Sequence, residues 1–208
     1  MPYQSRKSGQ VSDKMYMLNT AISNFYIYDT GESLIALDTG MGAGLSRAQL
    51  DKHGLDPGRV SAVFLTHSDF DHVGGLSLFP NAGLYLSVVE EDMVTHKRHR
   101  QLILFNRRLH RGYSLLRDRE KVAIGGSEVE LIYAPGHTPG SSCYFVDDTY
   151  LITGDLLTVK RDGSLGPFNA FNNMNHKEDK KSLERLSGEG VFERAKYILP
   201  GHGGYRVI

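Results

Sequence analysis

Four times along this chain an apolar run of strand character ends in a tight turn carrying histidine or aspartate. VSAVFL runs into THSDFDH at residues 66–72, EVELIYA into PGHTPGS, TYLI into TGD, and KYIL into PGHG. Strand ends on a rigid scaffold can aim side chains into one cleft. The glycines and prolines beside them suit turns that fix side-chain direction. A chain patterned this way has to gather several strand ends along one edge. The intervening segments agree. NFYIYDTGESLIALDTG reads as two strands joined by a tight turn. Residues 43–53 read as a helix with Gly54 as its stop. VSAVFLT, apolar nearly throughout, suits a strand buried on both faces. SCYFVD and TYLITG pair through a turn at Asp147 and Asp148, and residues 176–187 form a solvent-facing helix. Hairpins interspersed with helices predict an α/β fold of two mixed sheets covered by helices. With no linker or low-complexity stretch, residues 1–208 read as a single domain.

A lone histidine in a loop is weak evidence for a ligand, and His53, His96, His99, His110 and His176 are set aside on that ground. His67, His72, His137 and His202 differ, because each follows a strand and has glycine or carboxylate neighbours. With Asp69, Asp71 and Asp155 they make seven candidate ligands, enough for two metal ions of four or five ligands each. Composition narrows the rest. Lysine plus arginine (24) equals aspartate plus glutamate (24), so charge gives no hint of a nucleic-acid partner. One cysteine excludes a disulfide framework and a cysteine-only metal site. Cys143, on one strand face with Phe145, reads as a small buried apolar residue. The N-terminal residues lack the apolar segment of a signal peptide, and no run of ~18 apolar residues could span a membrane. The expectation is a cytoplasmic protein acting on a small molecule.

The ordered set LIALDTG, THSDFDHVGG, PGHTPGS, TGD and PGHG resembles the metallo-β-lactamase-fold superfamily, over residues from about 24 to 204. That resemblance implies a four-layer αββα sandwich. It implies that Asp38 orients a ligand histidine, and that the family loop His-x-His-x-Asp-His is matched by His67, Asp69, Asp71 and His72. His67 and Asp69 with His137 would hold one metal, Asp71 and His72 with His202 the other, and Asp155 would bridge them. Two such ions can share a water and aim the resulting hydroxide at an electrophile, with Asp71 orienting that water or relaying a proton. The implied activity is hydrolysis of an ester, thioester or lactone. Ser68 reads as a turn residue. Asp69 departs from the family histidine. Its carboxylate is shorter and anionic, which raises the pKa of bound water and favours iron or manganese beside the zinc otherwise expected. Diiron oxidoreductases of the superfamily resemble this chain in having a carboxylate there. An iron-dependent redox enzyme and a phosphoester hydrolase are therefore the alternatives, together with a site in which only the second metal position fills. Glutathione thioesters and antibiotics are not expected as substrates, since the chain ends six residues after His202 and begins without a signal peptide.

Residues 97–121 break the rhythm. They hold nine basic side chains against Asp118 and Glu120, and Leu102, Phe105, Leu109, Tyr113 and Leu116 recur at helical spacing. The pattern predicts an amphipathic helix, weakened by Gly112 by ~1 kcal/mol relative to alanine. Such a helix is a basic surface, a lid attracting an anionic substrate, or a membrane or oligomer contact. In PFNAFNNMN, Asn172 and Asn173 either satisfy their own turns or polarise a substrate carbonyl.

Overall fold

The computed structural model describes residues 3–4, 7–100 and 108–208. The chain begins with short strands β1 (Tyr3–Gln4) and β2 (Gly9–Gln10), followed by β3 (Met15–Thr20), β4 (Ser23–Asp29) and β5 (Leu34–Leu37). Helix α1 (Ala43–Lys52) leads to β6 (Val60–Phe64), the single turn α2 (Phe70–Val73), β7 (Gly83–Ser87) and α3 (Glu91–Val94). Next come β8 (Ser114–Leu116), β9 (Lys121–Ile124), β10 (Ser127–Tyr133), β11 (Ser142–Val146) and β12 (Tyr150–Gly154). A ribbon of β13 (Leu157–Val159) and β14 (Leu165–Pro167) precedes α4 (His176–Gly188), α5 (Val191–Arg194), β15 (Tyr197–Pro200) and β16 (Tyr205–Val207).

Among the described residues these strands form two seven-stranded sheets, ordered β2-β3-β4-β5-β6-β7-β8 and β1-β16-β15-β12-β11-β10-β9. Both are mixed. β5 to β8 run parallel, as do β12 and β15, while the hairpins are antiparallel. The burial pattern explains the layering. Met17, Tyr26, Ile35 and Phe64 of the first sheet pack against Leu131, Tyr144, Ile152 and Leu199 of the second. On the outer face of the first sheet, Ile27, Ala36 and Val63 meet Leu50 of α1. On the outer face of the second, Cys143, Phe145 and Ile198 meet Leu186 of α4 and Phe192 of α5. The result is the predicted helix–sheet–sheet–helix sandwich, with β6 buried on both faces and Cys143 a core residue whose thiol burial pushes up to about 12. Gly54 (φ +67°) ends α1, and Asp147 and Asp148, both left-handed, make the tight turn between β11 and β12.

The basic segment corrects the amphipathic-helix expectation. Residues 97–100 and 108–113 are not helical, and Ser114–Leu116 is a strand added in parallel to β7; residues 101–107 lie outside the described residues. Leu109 and Tyr113 pack on the α1 side of the first sheet while Leu116 enters the inter-sheet core. The three do not share a helical stripe. Pairing with an open sheet edge has overridden the helical period.

Phe64 stacks on Tyr85 (4.7 Å between ring centroids) and meets Tyr144 edge-on (5.3 Å) at the centre of the sandwich. Phe64→Ala is expected to cost about 3–5 kcal/mol, seen as a lower urea midpoint at unchanged slope. Ser61→Ala, at the one exposed position of the same strand, should move the midpoint little.

Candidate metal centre

The seven candidate ligands come from four loops at one edge of the sandwich, and the fold brings them all together. Their ligand atoms fall into three overlapping groups: His67, Asp69 and His137; Asp71, His72 and His202; and His67, His72 and Asp155. Asp155 lies between the others. Its oxygens are 3.3 Å from His72 Nε2, 3.4 Å from His137 Nε2 and 3.1 Å from His202 Nε2. Asp71 Oδ2 is 3.7 Å from His72 Nε2 and 3.5 Å from His202 Nε2.

Each histidine is held from behind through Nδ1, which turns Nε2 inward. His72 Nδ1 donates to Asp38 Oδ2 (2.8 Å), a contact that fixes the direction of the ring. His67 Nδ1 lies 3.0 Å from the Thr66 hydroxyl, which itself donates to Asp38. His137 Nδ1 donates to Asn173 Oδ1 (3.0 Å), and His202 Nδ1 to the backbone oxygen of Ile22 (2.7 Å). Asn173 is therefore a support for His137, neither a turn residue satisfying itself nor a free carbonyl polariser. The loop bearing His202 is tied to the first sheet by Asn24, whose amide nitrogen donates to Pro200 and Gly203, and by the Tyr26 hydroxyl on Pro200. Gly201 is required there, since a Cβ would lie 2.4 Å from Asp155 Oδ1 and 2.7 Å from His72.

The electrostatics suit cations. His67 has a strongly lowered pKa, from burial and then from the neighbouring His72 and His137, so it stays a neutral donor. Burial would lower His72 and His202, but the carboxylates of Asp155 and Asp71 outweigh it and raise both. Burial opposes ionisation of Asp155, yet the surrounding histidines hold it well below the usual carboxylate range. Among the described residues, two buried atoms in the cluster have no hydrogen-bond partner: His67 Nε2 and Asp155 Oδ1. Buried polar atoms are rarely left unpaired.

Two contributors carried no usable signal in the sequence. Buried Glu90, from the stretch before α3, accepts from the Ser68 amide (2.8 Å) and hydroxyl (2.6 Å) with one oxygen. Its other oxygen accepts from Thr138 (2.6 Å), so it clamps the His67 loop to the His137 loop. Ser68 thus has a structural task. Arg100 was visible only as one charge of a basic segment. Its Nε donates to Asp69 Oδ1 (3.0 Å), and its Nη2 lies 2.7 Å from both Asp69 Oδ2 and His137 Nε2. Asp69 sits at the N-cap of α2 but makes no side-chain cap bond, leaving its carboxylate to the site.

These residues floor a cavity of about 490 Å³ whose wall includes His99, Arg100 and Asn172. Its mouth is apolar. Ile22, Phe171 and Met174 border it, and Phe171 is 96% exposed. His53, His96 and His110 stay outside the cluster, whereas His176 sits behind it, 3.1 Å from Asn173 Nδ2.

The model of the metallo-beta-lactamase superfamily matches residues 18–202. The chain belongs to that superfamily, and is a metallo-hydrolase. Over 192 residues it is 29% identical to an uncharacterized protein of Mycobacterium leprae, covering 86% of this chain and 84% of that one. It is 35% identical over 110 residues to the "Probable polyketide biosynthesis zinc-dependent hydrolase BaeB" of Bacillus velezensis, covering 51% of this chain and 43% of that one. It spans 39% of the length of a lactamase-like protein of Penicillium aethiopicum, at 27% identity. Among solved structures, a metallo-beta-lactamase from Pontibacter korlensis superposes with a TM-score of 0.74 at 20% identity, covering 98% of this chain and 94% of that one. A family protein from Thermus thermophilus gives 0.70 at 21%, covering 95% and 76%. These two similarities establish the fold. No helix among the described residues is long and apolar enough to cross a membrane.

The clamp gives a pH-dependent prediction. Burial, partly offset by the bonds from Ser68 and Thr138, pushes Glu90 up from about 4.5 to about 7. A carboxylate whose folded pKa is raised destabilises the fold as it ionises, so this contribution is lost as pH climbs from about 4.5 through about 7. Glu90→Gln, which cannot ionise, should make the fall in stability of metal-free protein across that window shallower. An unchanged slope in urea melts at several pH values would count against the clamp.

Proposed function

We propose that this metallo-hydrolase cleaves an ester, thioester or lactone bond in a small acyl compound, at a centre for two divalent ions, zinc foremost. The observation carrying this reading is the convergence of three overlapping ligand groups, with two orphaned buried donor atoms, on the floor of an open cavity with an apolar mouth. His67, Asp69 and His137 would hold one ion, Asp71, His72 and His202 the other, and Asp155 would lie between. Bound there, the ions would lower the pKa of a water and polarise the scissile carbonyl.

The chain's own residues supply the rest. Asp38, Thr66, Asn173 and the Ile22 carbonyl keep the four Nε2 atoms facing inward before substrate arrives, which lowers reorganisation during the reaction. In hydrolysis the acyl carbon gains the water oxygen, the bond to the leaving oxygen or sulfur breaks, and a water proton ends on that leaving atom. Asp71, at 7% exposure the most solvent-accessible of the three carboxylates, would take that proton and hand it on. Around the mouth the rim offers Ile22, Phe171 and Met174. That rim favours recognition through an apolar acyl group.

Chelator-stripped protein should lose hydrolysis across a panel of acyl esters, thioesters and lactones and recover it with zinc. Asp155→Ala should lower the bound metal, measured by elemental analysis. Turnover persisting in metal-free protein would sink the reading. Phe171→Ala should raise KM for longer acyl chains by a few-fold per lost methylene contact, each worth ~0.8 kcal/mol, while kcat and Tm stay near wild type.

A further inference from the structure

Arg100 touches the same two atoms that a first-site ion would need. We propose that its guanidinium is a built-in placeholder for that ion, so that the centre fills in order: the site of Asp71, His72 and His202 first, and that of His67, Asp69 and His137 only after Arg100 has withdrawn. The proposal rests on the two-ion reading above and deepens it.

The geometry is that of direct competition. His137 Nδ1 is committed as a donor to Asn173 Oδ1, so Nε2 has one lone pair, and that lone pair faces Arg100 Nη2 at 2.7 Å. It cannot serve a guanidinium and an ion at once. The same nitrogen is 2.7 Å from Asp69 Oδ2, with Nε on Oδ1, a forked pairing that occupies both carboxylate oxygens. Nη1 donates to the Asn172 backbone oxygen and Nη2 also to that of His137 (3.2 Å), so the fork is seated in a built pocket. Among the described residues, nothing comparable engages the other ligand set. Asp71 and His202 have no arginine or lysine against their ligand atoms among the contacts of the described residues.

Charge leads to the same order. Asp69, Asp71 and Asp155 bring three negative charges into a buried cluster, and the histidine donors are neutral when they bind metal. One divalent ion and one guanidinium neutralise them. A second divalent ion must therefore displace a charge already matched, and the short reach of aspartate leaves room for a planar cation between Asp69 and His137.

Zinc titration by calorimetry tests this together with 15N spectra of the histidine side chains. In wild type, the first equivalent should shift the Nε2 signals of His72 and His202 and leave that of His137 in place until the second. Arg100→Gln should tighten the weaker binding event by about 10- to 100-fold, the range expected for losing a competing charge-assisted hydrogen bond. Arg98→Gln, which removes an exposed charge of the same segment, should leave it unchanged. A His137 shift with the first equivalent, or equal affinities in wild type and Arg100→Gln, would overturn the placeholder. Absence of any zinc binding in both proteins would overturn the metal reading itself, a distinct result. The wild-type spectra decide the filling order even if the variant fails to fold.

Discussion

The carboxylate of Asp38 is the fixed point from which the centre is built. It lies just past β5, in a left-handed conformation (φ +58°) that a non-glycine residue adopts only under constraint. The constraint is on both sides of the residue. Its amide donates to the Phe64 carbonyl at the end of the neighbouring strand, and its oxygens accept from the Thr66 amide, the Thr66 hydroxyl and His72 Nδ1. One buried side chain thus joins the ends of β5 and β6, starts the ligand loop, sets the tautomer of His72 and, through Thr66, steadies His67. Remove that carboxylate and the loop keeps its sequence but loses the direction of two imidazoles.

Much of this was legible in the sequence because it is local. THSDFDH places four candidate ligands within seven residues after a buried strand, whose end turns them toward one cleft. PGHTPG, TGD and PGHG each put one candidate ligand beside a glycine that a close approach requires, as Gly201 against Asp155 illustrates. The sandwich was legible for a similar reason, since β6, β11 and β12 are apolar on both faces and cannot be surface strands.

What stayed hidden is what arrives from a distance. Glu90 lies 22 residues after Ser68 and 48 before Thr138, so no spacing rule ties it to either. Arg100 stood in a segment whose apolar period suggested a helix and whose charges suggested a surface. The period failed because Leu109, Tyr113 and Leu116 are divided between two cores. The surface reading failed for Arg100, which is buried against a carboxylate. Asn173 was read through its own turn, whereas its side-chain oxygen is taken by His137. Each miss concerns a polar partner supplied by tertiary contact.

Asp69 draws these threads together. In the sequence it is a departure from a histidine pattern, and the natural question is what metal it selects. In the fold it first selects a protein partner. An imidazole at that position could not hold a guanidinium by two parallel hydrogen bonds, because a neutral ring offers one acceptor and a carboxylate offers two oxygens. Aspartate and Arg100 are therefore one feature: the carboxylate adds a charge the cluster would have to balance, and the guanidinium balances it without an ion. Desolvating an arginine is costly unless it is fully paired, and here the fork, the Asn172 carbonyl and His137 meet that need. Changing residue 69 alone leaves a buried cation unmatched, and changing residue 100 alone leaves a buried anion, so the two positions are energetically coupled rather than additive.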